Sequence, residues 1–170
     1  LLAETGDAPK TGVRERIDVA AIARQTVAMF GGAAEERGVG LAVTGPTDPV
    51  TVLGDAAQLR QVLGNLVDNA IRFTDRGGSV TVAVREEADG TAAVVTVADT
   101  GCGIAQKHLE RIFDRFYKTD PARPRVEGAR GGGLGLAICR SIVERLGGSI
   151  AVTSGEARGT TFSVRLPAAA

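Results

Sequence analysis

Apolar residues recur along the chain at two spacings, one helical and one extended. From Asp55 to Phe73, Leu59, Val62, Leu63, Leu66, Val67 and Ala70 fall three or four residues apart, the pattern of an amphipathic helix headed by an aspartate cap. Asp18 stands in the same place before a helix that runs to about Arg37 and stops at Gly38, with Val19, Ile22, Val27 and Phe30 partly periodic. Leu134–Leu146 reads as a third helix, closed by Gly147-Gly148, and Gln106–Arg115 as a short one. SVTVAVRE (79–86) alternates strictly and TAAVVTVA (91–98) is rich in β-formers, with Asp89-Gly90 between them as a hairpin turn. Val39–Thr44 and Thr51–Leu53 read as strands around a Gly-Pro turn at 45–46, and SIAVTS (149–154) and TTFSVRLP (160–167) as the last two. Residues 1–16, polar and broken by Gly6, Pro9 and Gly12, read as a linker, 117–132 as an exposed, mobile loop rich in Pro, Gly and Arg, and 168–170 as a tail. Three main helices set against about five mostly antiparallel strands predict a two-layer α/β sandwich over residues 17–167.

Composition narrows the function classes. The 170 residues suit one domain with its own core. A net charge of +0 gives no bulk attraction for nucleic acid or acidic membrane, and 4% aromatic residues without Trp give no base-stacking platform. Cys102 and Cys139 lie far apart with no CxxC spacing, so neither a zinc site nor a disulfide framework is expected, and a reducing compartment is. The longest strongly apolar run, AAVVTVA (92–98), falls far short of the roughly 20 residues a membrane span requires. There is no signal-peptide pattern, and the opening at Leu1-Leu2 without Met leads us to expect a piece of a longer protein.

Four short motifs carry the chemistry: NLVDNA (65–70), DTGCGI (99–104), RIFDRF (111–116) and GGGLGLA (131–137). On the first, Asn65, Asn69 and Arg72 project within ~60° of one another at ~100° per residue, away from the apolar stripe. Amide oxygens are hard ligands suited to Mg²⁺, which takes few protein ligands in nucleotide sites, and a guanidinium meets phosphate. Taken alone, this stripe reads equally as a solvated helix face. Asp99 ends a buried-looking strand, where a carboxylate can accept from an exocyclic amino group such as adenine's; Gly101 and Gly103 let a flat base approach, and Ile104 can pack on it. Taken alone, DTG is more often a plain turn. The glycines of the fourth motif open a helix and leave its N–H groups free for phosphate, with Lys118 the favoured cation of the preceding loop. Phe113 and Phe116, three apart on one helical face, read chiefly as core; His108 lies in a surface turn with no second ligand nearby.

The order of these motifs resembles the catalytic, ATP-binding domain of bacterial sensor histidine kinases, within the superfamily shared with gyrase, mismatch-repair ATPases and a heat-shock chaperone. NLVDNAIRFT is similar to that family's N box, DTGCGI to its G1 box, RIFDRF to its F box, GGGLGLAI to its G2 box and GTTF (159–162) to its last box, so the resemblance spans about Asp18 to Pro167. It implies the Bergerat fold, ATP and Mg²⁺ as ligands, and a loop 117–132 that serves as the ATP lid. Asn69 is then the Mg²⁺ ligand with Asn65 in the same polar network, and Arg72 and Lys118 face phosphate. Asp99 holds the adenine amino group, supported through water by Thr160. Phe73, Gly101, Gly103, Ile104, Tyr117, Gly131, Gly132, Gly133, Leu134, Gly135 and Leu136 complete the nucleotide site. Asn65, Asn69, Arg72 and Lys118 make up the catalytic set.

Departures from the family pattern are Phe73 for a common Tyr, Cys102 for a frequent Pro, and Arg130-Gly131-Gly132 ahead of the last glycines. The superfamily's hydrolases place a glutamate base four residues before the Mg²⁺-binding asparagine; here Asn65 stands there, and an amide cannot take the proton. The resemblance therefore implies transfer of the γ-phosphoryl group to a histidine on an upstream dimerisation domain, and onward to a response-regulator aspartate. No His-Glu or His-Asp pair occurs here, so that histidine is expected upstream of Leu1 and this chain should not label itself. A nucleotide-binding regulatory module without transfer activity stays open as an alternative, with an ATP-hydrolysing switch behind it. The expected setting is the cytoplasmic portion of a membrane-bound sensor, with this piece monomeric and its parent homodimeric, and with no nucleic-acid or membrane contact of its own.

Overall fold

A computed structural model describes residues 14–117, 135–155 and 157–169. The element order is β1 (Glu15–Asp18), α1 (Val19–Arg37), β2 (Gly40–Thr44), β3 (Thr51–Gly54), α2 (Ala56–Phe73), β4 (Ser79–Glu86), β5 (Ala92–Asp99), α3 (Gln106–Leu109), α4 (Gly135–Arg145), β6 (Ser149–Ser154) and β7 (Thr160–Pro167). Five strands form a mixed sheet in the order β2-β4-β5-β7-β6, with β2 and β4 parallel and the other pairs antiparallel. Helices α1, α2 and α4 pack on it, giving the α/β sandwich expected. The core between the layers takes Leu59, Val62, Leu63, Leu66 and Val67 from α2, Ile142 and Val143 from α4, and Val80, Val82, Val95, Val97 and Val164 from the sheet.

Both long helices begin as their sequences dictate. The Asp18 side chain accepts from the Ala20 amide at 3.0 Å and also from the Val50 amide at 3.1 Å. Asp55 accepts from the amides of Ala57 and Gln58 at 2.9 and 3.2 Å. Each carboxylate satisfies N–H groups that a helix start leaves without partners. At the other end Arg37, in the last turn of α1, donates to the carbonyls of Ile71 and Arg72 at 3.2 and 3.0 Å, so one helix caps the next.

Three boundaries differ from the sequence reading. Glu15 and Arg16, expected in the linker, belong to β1, which pairs antiparallel with β3 in a separate two-stranded sheet. ERID carries a single apolar residue, the buried Ile17, and its partner lies more than thirty residues away, so no local signal marks the strand. Ala168 and Ala169, expected in the tail, are tied down: Ala168 bridges Val52 and donates to the Thr91 carbonyl, and the Ala169 amide donates to Thr51. The expected helix 106–115 ends at Leu109. It continues as turns closed by three-residue backbone bonds, His108 to Ala105, Arg111 to His108, Asp114 to Arg111 and Tyr117 to Asp114.

That last correction separates the two phenyl rings of RIFDRF. Phe113 leans on the core, edge-on to Phe162 with ring centroids 6.1 Å apart, whereas Phe116 adopts φ 62° and is 70% exposed. The fully buried member of the motif is Ile112. No helix among the described residues is long and apolar enough to cross a membrane.

Candidate functional site: an acidic strand end beside an amide-bearing helix

β5 ends on Asp99, and the register across the sheet sets its neighbours: Asp99 pairs with Val80 of β4 on one side and Thr160 of β7 on the other. The carboxylate oxygen Oδ1 accepts from the Gly101 amide at 2.8 Å and the Thr160 amide at 3.3 Å. Two backbone donors thus fix the side chain, and neither falls on Oδ2. Burial pushes the Asp99 carboxyl above its ordinary value, while the two amide bonds pull it down. A partly desolvated, oriented acceptor at a strand end is what recognition of an amino group requires.

Two glycines let the chain close around this carboxylate. A Cβ at Gly101 would stand 2.3 Å from the Phe73 carbonyl oxygen, so the turn after Asp99 rests against the end of α2. At Gly159, with φ 77°, a Cβ would stand 2.0 Å from the Asp99 carbonyl oxygen. Gly103 also lies in the left-handed region, at φ 73°, before Ile104 turns back to lean on the core.

α2 brings up the polar stripe that its spacing predicted. Asn65, Asp68, Asn69 and Arg72 are half-buried on the side away from the leucines. Arg72 is paired with Asp68 at 2.8 Å, and Asn65 Nδ2 donates to the Gly135 carbonyl at 3.5 Å, linking α2 to the start of α4. The thiol of Cys139, one turn further along α4, is buried on this junction. Burial raises it to about 11, and a hydrogen bond from Asn65 pulls the other way. Among the described residues the Asn69 carboxamide takes no protein hydrogen bond. Phe73 is half-exposed at the end of α2, and Leu136 packs against the core from α4.

The structure therefore gathers Asn65, Asn69, Arg72, Phe73, Asp99, Gly101, Gly103, Ile104, Gly135, Leu136 and Thr160 around α2 and the two ends that meet it. Tyr117 is engaged within its own segment: its hydroxyl is hydrogen-bonded to His108 Nδ1, and the Arg111 guanidinium lies 4.6 Å from its ring centroid. His108, expected in a plain surface turn, is half-buried by that pairing. Lys118, Gly131, Gly132, Gly133 and Leu134, with most of the expected lid, lie outside the described residues.

Thr160 lies beside Asp99 across the β5–β7 register. It reaches Asp99 directly through its backbone amide, and its hydroxyl turns to Ser154, 2.8 Å away. Ser154 was not singled out from the sequence. Its one signal there is a polar residue closing the alternation of SIAVTS directly before a Gly-containing turn.

Residues 54–170 match a family model described as histidine kinase-, DNA gyrase B-, and HSP90-like ATPase. Sensor protein SrrB of Staphylococcus aureus is 47% identical over 113 residues, which cover 66% of this chain and 19% of SrrB. The chain thus spans under a fifth of the length of the curated relatives it matches. Among solved structures, the nucleotide-free catalytic domain of histidine kinase ThkA superposes with a TM-score of 0.77 at 26% identity, over 91% of this chain and 97% of that one. Full-length ShkA in complex with AMPPNP gives 0.81 at 31% identity, over 96% of this chain and 33% of that one. ThkA in complex with response regulator protein TrrA gives 0.74 at 25% identity, over 92% and 42%.

Proposed function

The chain belongs to the histidine kinase-, DNA gyrase B- and HSP90-like ATPases, as the ATPase domain of a sensor histidine kinase, and we propose that it holds Mg-ATP between α2, the 99–104 turn and the start of α4. From there it hands the γ-phosphoryl group to a histidine on an upstream dimerisation domain, for relay to a response-regulator aspartate. The observation that carries this reading is the Asp99 carboxylate, fixed through Oδ1 by the Gly101 and Thr160 amides beside the amide stripe of α2.

Each residue then has a task. Asp99 accepts the adenine amino group, and Ile104 packs on the ring. Arg72 leaves Asp68 for phosphate oxygens, an exchange made easy because a partly exposed surface ion pair contributes only about 0–1 kcal/mol. The donor set fits Mg²⁺: Asn69 offers a half-buried amide oxygen that has no hydrogen-bond partner among the described residues, and Mg²⁺ takes most of its shell from phosphate and water. When bound, the ion would neutralise phosphate charge during transfer. Asn65 anchors the Gly135 carbonyl and supplies no base for water, which favours transfer to an acceptor over hydrolysis. Lys118 and the glycines 131–133 would close on the phosphates. ShkA bound to AMPPNP and ThkA bound to a response regulator support nucleotide and partner in turn. The domain would work on the cytoplasmic side of a membrane-bound, homodimeric parent.

Calorimetric titration with ATP, with and without Mg²⁺, is the direct test. Saturable binding strengthened by Mg²⁺, no steady-state phosphate release, and labelling of a separately supplied histidine-bearing dimerisation domain are expected. Mg²⁺-ATP binding without labelling would leave the nucleotide-binding regulatory module, and steady phosphate release would return the hydrolase.

A further inference from the structure

Ser154, Thr160 and Asp99 stand in one row across three neighbouring strands. Ser154 of β6 is the register partner of Thr160, and Thr160 is the register partner of Asp99. Directly paired residues share a sheet face, so the row presents two hydroxyls and a carboxylate side by side. The Ser154 hydroxyl oxygen accepts from the Ile104 amide at 2.7 Å. Its partners on the other side are the Gly159 carbonyl at 2.9 Å and the Thr160 hydroxyl at 2.8 Å.

The turn 99–104 is therefore pinned at both ends to the same neighbour, the β6–β7 connection. Its near end is held by the Asp99 carboxylate, which bridges the Gly101 and Thr160 amides. Its far end is held by Ser154, which takes the Ile104 amide. These two ends carry the two groups expected to meet the base: the carboxylate along its edge, and the Ile104 side chain on its face. Ile104 itself lies in the connection between β5 and α3.

We propose that Ser154 is a positioning residue for base recognition, setting the gap between the Asp99 carboxylate and Ile104 so that the site selects a 6-aminopurine over a 6-oxopurine. This rests on the reading of Asp99 as the base acceptor. A carboxylate held in register accepts from an amino group and repels a carbonyl in the same place. A turn free at Ile104 lets the base shift and blurs that distinction.

The test is calorimetry of this chain with ATP and with inosine triphosphate, for wild type, Ser154→Ala and Ser154→Thr. Wild type should prefer ATP. Ser154→Ala should shrink that preference by about tenfold, the worth of one lost part-buried hydrogen bond. Ser154→Thr, which keeps the hydroxyl, should restore it. A structural role alone would weaken both nucleotides equally and leave their ratio unchanged, which would overturn the proposal. Failure of wild type to discriminate would instead overturn the reading of Asp99. Amide exchange of wild-type Ile104 tests the same point without a variant: the amide should be protected, and more so with ATP than with inosine triphosphate. Exchange at the rate of an open loop would refute the clamp even if Ser154→Ala does not fold.

Discussion

The Gly101 backbone sits against the carbonyl oxygen of Phe73, so close that a Cβ on Gly101 would stand 2.3 Å from it. The contact joins the turn after Asp99 to the last residue of α2, and with it the proposed base acceptor to the helix bearing Asn69. A Gly101→Ala chain must push the two apart. Overpacking of this kind costs about 1–3 kcal/mol. Thermal denaturation should show a melting point lower by several degrees, and ATP titration a weaker complex. An unchanged affinity would mean that the spacing between turn and helix is not used for binding.

Asp99 should link ATP affinity to pH. Burial holds its carboxyl above the ordinary 3.8. Between the ordinary and the raised value, the folded chain keeps a proton that the unfolded chain has released. The contribution of Asp99 to stability is thus full below the ordinary value and is lost as pH rises through the folded one. Asp99→Asn, neutral throughout, should melt no lower than the parent at pH 7, yet bind ATP about ten- to a hundredfold more weakly, the range for a hydrogen bond to a charged group. In the parent, ATP affinity should fall on acidification with an inflection above the ordinary carboxyl value, and the variant should lack it. Paired melting and titration series across pH 3–7 check both signs.

Asn69→Ala should abolish the gain in ATP affinity on adding Mg²⁺ while leaving metal-free binding close to that of the parent. In the full-length parent the same change should abolish kinase activity. Titrations in Mg²⁺ and in chelator distinguish this from a loss of fold, because only a metal ligand changes the ratio between the two.

Arg37→Ala should loosen the end of α2 from a distance. Its guanidinium supplies two bonds to the carbonyls of Ile71 and Arg72, in the turn that carries Arg72 and Phe73. Losing both should cost about 1–3 kcal/mol. A melting curve gives that cost, and faster amide exchange confined to the last turn of α2 would place it.

The elements with a strong local pattern were legible in the sequence. The buried stripe of α2 comprises the six residues its spacing marked, with Ile71 added, and both aspartate caps hold. Asp99 falls at a strand end as its motif suggested. What escaped was whatever depended on a distant partner. β1 exists because β3 offers it an edge, and Ala168 and Ala169 are ordered by bonds to Thr51, Val52 and Thr91. RIFDRF looked helical by spacing, yet it runs in three-residue turns that bury Ile112, lean Phe113 on Phe162 and leave Phe116 in solvent.

By itself, then, the sequence determined the helices, most of the strands, and the chemical types at the site, because periodicity, capping and glycine placement act over a few residues. Tertiary structure decided which of those groups meet. The register of β5, β7 and β6 sets Asp99, Thr160 and Ser154 side by side, and the packing of α2 on the sheet, with the approach of Gly101 to Phe73, brings that row to α2. Strand register is fixed by burial of one sheet face against the helices, a global condition that no local run of residues encodes.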